Sequence, residues 1–377
     1  MNVKKARRIG SVAMASTWQG AGRAGEGDAF LRDAESVLGK ALKGMRTEVA
    51  VAWAGSGAYE RVALSYLAVS SVLIAYFAKN LQHPFRMLGV QAGAALVVML
   101  LCWVGARAAA KETRFGVSFG TQWWHFWRHW YPHLFFLFCF EELAHLMTLF
   151  TPEWQDAKLL AFDHWLTGVQ PTIWLEQFAT PLRNDGMQFF YLTYFTYLLI
   201  LGGILYYRRE WQAYWSVMTY SMVGYMCGYL IAMFFPIESP WFALAGAWKA
   251  PLAGGPFTAT INFIEHLGRV RGAAFPSEHV AGATAAVWGA WKFRRWLFWV
   301  MMPFFFLMCV STIWGRYHYV ADIFGGMTTG TLGYVIGDRI MKWKGAVATV
   351  LRSTNAGTPR VEANPRAQSG VTVPQGR

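Results

Sequence analysis

Eight long apolar runs limit what this chain can fold into more tightly than any motif does. They lie at roughly 59–78, 85–106, 131–150, 187–206, 213–235, 277–292, 296–313 and 320–340, each near the ~20 residues that a helix needs to cross hydrocarbon. Inside a bilayer every backbone N–H and C=O must be satisfied by the protein itself, which leaves helices and closed barrels as spanning structures. The runs therefore predict an all-α, polytopic membrane helix bundle of about six to eight transmembrane helices, the lower number applying if some pieces are buried or re-entrant. At 377 residues the chain is long enough for two soluble domains, but 55% apolar and only 15% charged residues argue for one membrane domain, 59–341.

The flanks read differently. Residues 1–58 form a basic tail with Lys4, Lys5, Arg7 and Arg8 near its start and no apolar core of the kind a cleavable signal peptide needs. Within it, Asp28–Val49 repeats apolar residues at helical spacing opposite Lys40, Lys43 and Arg46, which predicts an amphipathic helix on the inner leaflet. Residues 342–377 are basic and poor in apolar side chains, so a disordered tail is expected. With the N-terminus inside, 25 of the 34 Lys and Arg fall on inner segments and 8 on outer ones. That asymmetry predicts an integral protein of a bacterial inner or plasma membrane with both termini cytoplasmic. The net charge of +13 thus reports orientation rather than a nucleic-acid partner; its Lys and Arg are spread over tails and short loops.

Two polar clusters stand where apolar runs begin: Phe275-Pro276-Ser277-Glu278-His279 and Gly315-Arg316-Tyr317-His318-Tyr319-Val320-Ala321-Asp322. Folding the intervening runs as an antiparallel pair brings His279 and His318 to one end of the bundle, the outer face in this orientation. On a helix Asp322 shares a face with His318 four residues before it, so the carboxylate is able to hold one imidazole nitrogen. This is how a nucleophile or base is oriented.

Pro276-Ser277-x-His279 followed by His318-x-x-x-Asp322-x-x-Gly325-Gly326 resembles the second and third motifs of the type-2 phosphatidic acid phosphatase superfamily, and most closely its inositol phosphorylceramide synthase-like branch. The likeness takes in Phe162-Asp163 with Gly168-Val169-Gln170-Pro171, and Tyr191-Leu192-Thr193-Tyr194-Phe195, and extends over about residues 130–342. The resemblance implies that His318 attacks phosphorus, Asp322 orients it and His279 protonates the departing alkoxide. Ser277 and the amides that begin its helix are then expected at the phosphate, with Arg316 and Arg271 as candidate clamps. The usual first motif, a Lys followed by Arg-Pro, is absent; Phe235-Pro236-Ile237-Glu238-Ser239-Pro240-Trp241 takes its place, and Thr312 stands where the third motif usually has Arg. Glu278 also departs from the pattern, a small or apolar residue being commoner there.

The implied substrate is a membrane lipid phosphate, with water or an alcohol such as inositol as acceptor. No cofactor and no metal are expected: the clusters carry His and Arg where a magnesium or calcium site would gather carboxylates. The four cysteines, Cys102, Cys139, Cys227 and Cys309, sit singly in apolar runs and suggest neither disulfides nor zinc. Glu141, Glu142 and His145 lie inside an apolar run, where ionisable groups are often functional, and are open to structural pairing, headgroup contact or one edge of a metal site. They are also the residues on which a transporter or flippase would rely, although the richest polar clusters lie at one face rather than at the midplane. Asp163, Asp185 and Glu238 are candidates for a polyol headgroup, and Thr151–Gly186 for a lid. A soluble haloperoxidase sharing the histidine motifs is excluded by the apolar runs.

The orientation has a direct test. A cysteine replacing Tyr317 in a protein stripped of its native cysteines should react with an impermeant thiol reagent in intact cells; labelling seen only after rupture reverses the topology.

Overall fold

The computed structural model describes residues 24–115, 119–147, 149–268 and 271–356. The basic cluster at Lys4–Arg8 and the end of the C-terminal tail, from 357, lie outside the described residues. Five helical stretches among the described residues are long and apolar enough to cross a membrane: Ala58–Tyr76, Pro84–Ala108, Pro181–Tyr207, Trp211–Phe234 and Arg295–Trp314. The protein is a polytopic helical membrane protein. The other three apolar runs are also helical, for reasons that set them apart from simple spans. Phe119–Ala144 carries Arg128, Glu141 and Glu142. Glu278–Phe293 has only 16 residues, ~24 Å against a hydrocarbon layer of ~30 Å. Val320–Ala356 is rich in glycine and threonine from Gly325 to Gly333 and carries Asp322 and Asp338.

In chain order the elements are α1 (Ala24–Gly55), α2 (Ala58–Tyr76), α3 (Pro84–Phe115), α4 (Phe119–Ala144), α5 (Asp156–Thr167), α6 (Pro171–Leu175), α7 (Pro181–Leu192), α8 (Tyr194–Tyr207), α9 (Trp211–Phe234), α10 (Pro240–Ala243), α11 (Pro256–Gly268), α12 (Glu278–Phe293), α13 (Arg295–Trp314) and α14 (Val320–Ala356). The stretch expected as an amphipathic surface helix is part of α1, which packs along α3. There Glu48 accepts from Trp103 Nε1 at 2.5 Å and pairs with Arg107 at 2.6 Å.

At the centre α9, α12 and α14 pack on one another, and their glycines explain how. A Cβ at Gly326 would run into the carbonyl oxygen of Ser277, and one at Gly330 into that of Ala281, so α14 meets α12 backbone to backbone. Further along α14, Gly333 abuts Gly224 and the carbonyl of Tyr220 in α9. Small residues at such contacts let helices approach closely where apolar burial gives no driving force between them.

Polar locks hold the end of the bundle away from the two histidines. Glu60, fully buried, accepts from Tyr131 Oη at 2.9 Å and pairs with Arg128 at 2.5 Å. Asp338 accepts from Tyr220 Oη at 2.8 Å and pairs with Lys292 and Lys342. Removing Arg128 would strand the buried Glu60 carboxylate in an apolar interior, which costs ~3–5 kcal/mol.

Substituting Gly326 by Leu should lower the detergent-solubilised protein's apparent melting temperature by several degrees, since overpacking of this kind costs ~1–3 kcal/mol. Unchanged melting would show that the α12–α14 contact is looser than described.

Candidate active site

Ser277 caps α12, its Oγ accepting from the Val280 amide at 3.4 Å, and its own amide donates to the carbonyl of Asp322 at 3.0 Å. That last bond ties the first histidine cluster to the second. It places His279, in the first turn of α12, beside the loop from Gly315 to Tyr319 that precedes α14.

The two histidines meet with His279 Nδ1 3.2 Å from His318 Nε2. His318 Nδ1 faces two acceptors, the carbonyl of Ala274 at 2.9 Å and Asp322 Oδ2 at 3.2 Å. Because both are acceptors, Nδ1 carries the proton, and Nε2 presents a lone pair. His279 Nδ1–H then donates to that lone pair, and Tyr191 Oη, 2.8 Å from His279 Nε2, donates to the remaining nitrogen. Every polar atom in the row from Tyr191 to Asp322 Oδ2 is thus satisfied with both imidazoles neutral. Burial pulls His318 down to about 4, against the Ala274 carbonyl, which favours the protonated form. At neutral pH its Nε2 is therefore unprotonated.

Both rings border a cavity of about 460 Å³, which also includes Tyr191, Glu238, Ala274 and Tyr317 in its lining. Half of its lining residues lie between Glu238 and Ala274, among them Phe242, Ile261, Ile264 and Gly272. Three residues other than glycine with positive φ adjoin it: Ser239 at 108°, Ala273 at 58° and Arg316 at 65°. Such conformations cost ~1–3 kcal/mol each and collect at sites that need a fixed backbone.

The structure brings His279, His318 and Asp322 together and places the other candidates elsewhere. Ser277 is fully buried, with its hydroxyl engaged as the helix cap. The Arg316 guanidinium is buried against the Trp248 ring, 4.1 Å from its centroid, and donates to the Ala250 carbonyl at 2.7 Å, with Glu176 Oε1 at 3.4 Å. Arg271 pairs with Glu238, and its side chain is more than half exposed. None of these three lines the cavity, whereas Glu238 does.

Thr151–Gly186, expected as a lid, acts instead as a buttress. Asp163 in α5, also read as a headgroup contact, is fully buried and accepts from the amides of Val320 and Ala321 at 2.9 and 3.1 Å, capping α14 just behind His318. Burial pushes its carboxyl above the ordinary value although these amides pull the other way. Asp156 likewise accepts from the amides of Glu238 and Ser239 and from Tyr319 Oη. Asp185 accepts from the Thr258 amide at 2.8 Å. Glu142 accepts from Gln91 Nε2 at 2.8 Å, a structural pairing, while Glu141 lines the His318 cavity and a neighbouring one. Among the described residues no group of three or more His, Cys, Asp and Glu gathers at metal-binding distance. Tyr191 is the site residue that sequence reasoning passed over; it stood inside a recognised stretch with no role attached.

Residues 157–336 match the family model of the PAP2 superfamily. The match supports the type-2 phosphatidic acid phosphatase superfamily, and with it a phosphatase or phosphotransferase of lipid phosphates as the general class. No curated protein and no solved structure matches the chain.

The state of His318 predicts the acid limb of the pH profile. Its lone pair is lost only as pH falls through about 4, so kcat/KM on a lipid phosphate should hold at pH 5.5. A limb centred near the ordinary histidine value of ~6.5 would contradict it.

Proposed function

We propose that this chain is an integral membrane phosphatase or phosphotransferase that cleaves a lipid phosphate ester through a phosphohistidine on His318. The observation that carries the reading is the directed row of hydrogen bonds from Tyr191 to Asp322, with an unprotonated Nε2 on the wall of a cavity. A phosphoryl group entering between the two rings takes the place of His279 Nδ1 against His318 Nε2. Its negative charge favours the imidazolium form of His279, which takes its second proton from the substrate's phosphate monoanion and then offers Nδ1–H to the ester oxygen while Nε2–H turns to Tyr191 Oη. His318 Nε2 attacks phosphorus, the ester P–O bond breaks, and the departing alkoxide leaves with the His279 proton. Asp322 and the Ala274 carbonyl steady the positive charge that develops on the His318 ring. Water or an alcohol, deprotonated by the now neutral His279, cleaves the P–N bond and frees His318.

In this reading the phosphoryl oxygens are met by the amides that begin α12, and by Arg316 and Arg271 exchanging Glu176 and Glu238 for phosphate, a stronger bidentate partner. Inositol as the acceptor, as in the synthase-like branch, belongs to the same proposal and rests on the resemblance of the motifs. The Lys and Arg distribution supports an active site facing outward with cytoplasmic termini.

His318→Ala should abolish the phosphoenzyme trapped from labelled substrate, and His279→Ala should slow the chemical step ~10²–10⁴-fold. Asp322→Asn should lower kcat by several orders of magnitude, as at other carboxylate-held histidines. Full activity in any one of them refutes the assignment. The transporter reading is favoured instead if the purified protein in detergent releases neither phosphate nor a new lipid from a panel of phospholipids and polyprenyl phosphates, with and without inositol. Activity should also survive excess EDTA and be inhibited by orthovanadate, with weaker inhibition after Arg316→Ala; loss in EDTA restored by magnesium or zinc overturns the mechanism.

A further inference from the structure

Glu278 lies between Ser277 and His279, yet the chemistry above does not use it. The residue is 4% exposed, and among the described residues neither carboxylate oxygen has a hydrogen-bond partner. A lone buried carboxylate is unfavourable, so such a group is either protonated or met by a cationic or donating ligand. The surroundings favour a ligand. Room has been made for the carboxylate: a Cβ at Gly228 in α9 would overlap its oxygens. Glu278 is among the residues that line a cavity of about 210 Å³ walled by the rings of Phe136, Phe140, Tyr194, Tyr225 and Tyr229, its carboxylate oxygens lying just behind that wall. Aromatic faces beside a carboxylate are the surroundings that bind an ammonium group.

The cavity's position relates it to the reacting phosphate. His279 lines both this cavity and the one it shares with His318. From Phe140 the space follows α4 down to His133, ~10 Å along the helix axis. Between α4 and α8 it reaches the surface of the bundle at Leu137 and Leu199, both exposed. The titratable groups facing it from α4, α8, α9 and α12 are His133, Tyr194, Tyr225, Tyr229 and His279, and none bonds Glu278.

We propose that Glu278 and the rings around it form an ammonium subsite, so that the lipid phosphate taken at His318 carries a cationic amine on the membrane side of its phosphate ester. The chain would enter between α4 and α8, seating the amine on Glu278 and the phosphoryl group between the histidines. This deepens the phosphatase reading and rests on it.

Two measurements on the purified full-length protein in detergent separate the claims. In the first, kcat/KM is compared for a long-chain alkyl phosphate with a primary amine two carbons from the ester and for its desamino counterpart. The wild type should prefer the amine at least tenfold, and Glu278→Gln and Gly228→Ala should each bring the ratio towards one. In the second, the Kd of a long-chain primary amine lacking phosphate is compared with that of the alcohol of equal length. The amine should bind at least tenfold more tightly to the wild type and lose that advantage in Glu278→Gln. Equal kcat/KM ratios or equal affinities in the wild type overturn the subsite, as does a preference that survives Glu278→Gln. If neither phosphate is hydrolysed, the phosphatase reading fails while amine binding still decides the subsite; if Glu278→Gln does not fold, the wild-type comparisons and Gly228→Ala decide it.

Discussion

The site depends on a backbone contact between two helices. Because Gly326 and Gly330 carry no side chain, α14 lies directly on the carbonyls of Ser277 and Ala281 in and before α12. At that separation the Ser277 amide reaches the carbonyl of Asp322, and the two histidines, 39 positions apart in the chain, come within hydrogen-bonding distance. A single added carbon at either glycine would push the helices apart and open the row of hydrogen bonds that makes one ring a held base and the other a donor.

Around that contact, buried carboxylates hold backbone rather than substrate. Asp163 fixes the first amides of α14, and Asp156 fixes those of Glu238 and Ser239 together with the hydroxyl of Tyr319. Each accepts more than one bond, which is how an ionised group is made tolerable away from water. These carboxylates thus pin backbone next to the cavity, including that of Ser239, one of the residues with positive φ.

Charge around the cavity is arranged in an unexpected way. Arginines that a phosphate site calls for are present at 271 and 316, but each is paired with a glutamate, Glu238 and Glu176. Neither guanidinium lines the cavity, and each has its charge balanced where it lies; in the proposed reading phosphate binding is an exchange of partners. Glu278 is the exception, a carboxylate with no partner at all, and that contrast sets it apart from the other acids near the site.

Much of the helical architecture was legible in the chain because membrane crossing imposes a length and a hydropathy on each run, and these are local properties. The pairing of His318 with Asp322 was legible from their spacing, although His318 lies in the loop before α14 and Asp322, in the first turn, reaches back to it and to the Tyr319 amide. Partners distant in sequence were not: Tyr191 on His279, the Ala274 carbonyl on His318, and the glutamates on Arg316 and Arg271 join segments 33 to 140 residues apart. Asp163 read as a candidate headgroup contact because nothing local shows that its neighbours are the amides at the start of α14. The sequence by itself determined a helical membrane bundle with two histidine clusters at one end. Only the tertiary structure decided which groups face the imidazoles and which are engaged elsewhere, because hydrogen-bond partners are chosen by proximity after the helices have packed.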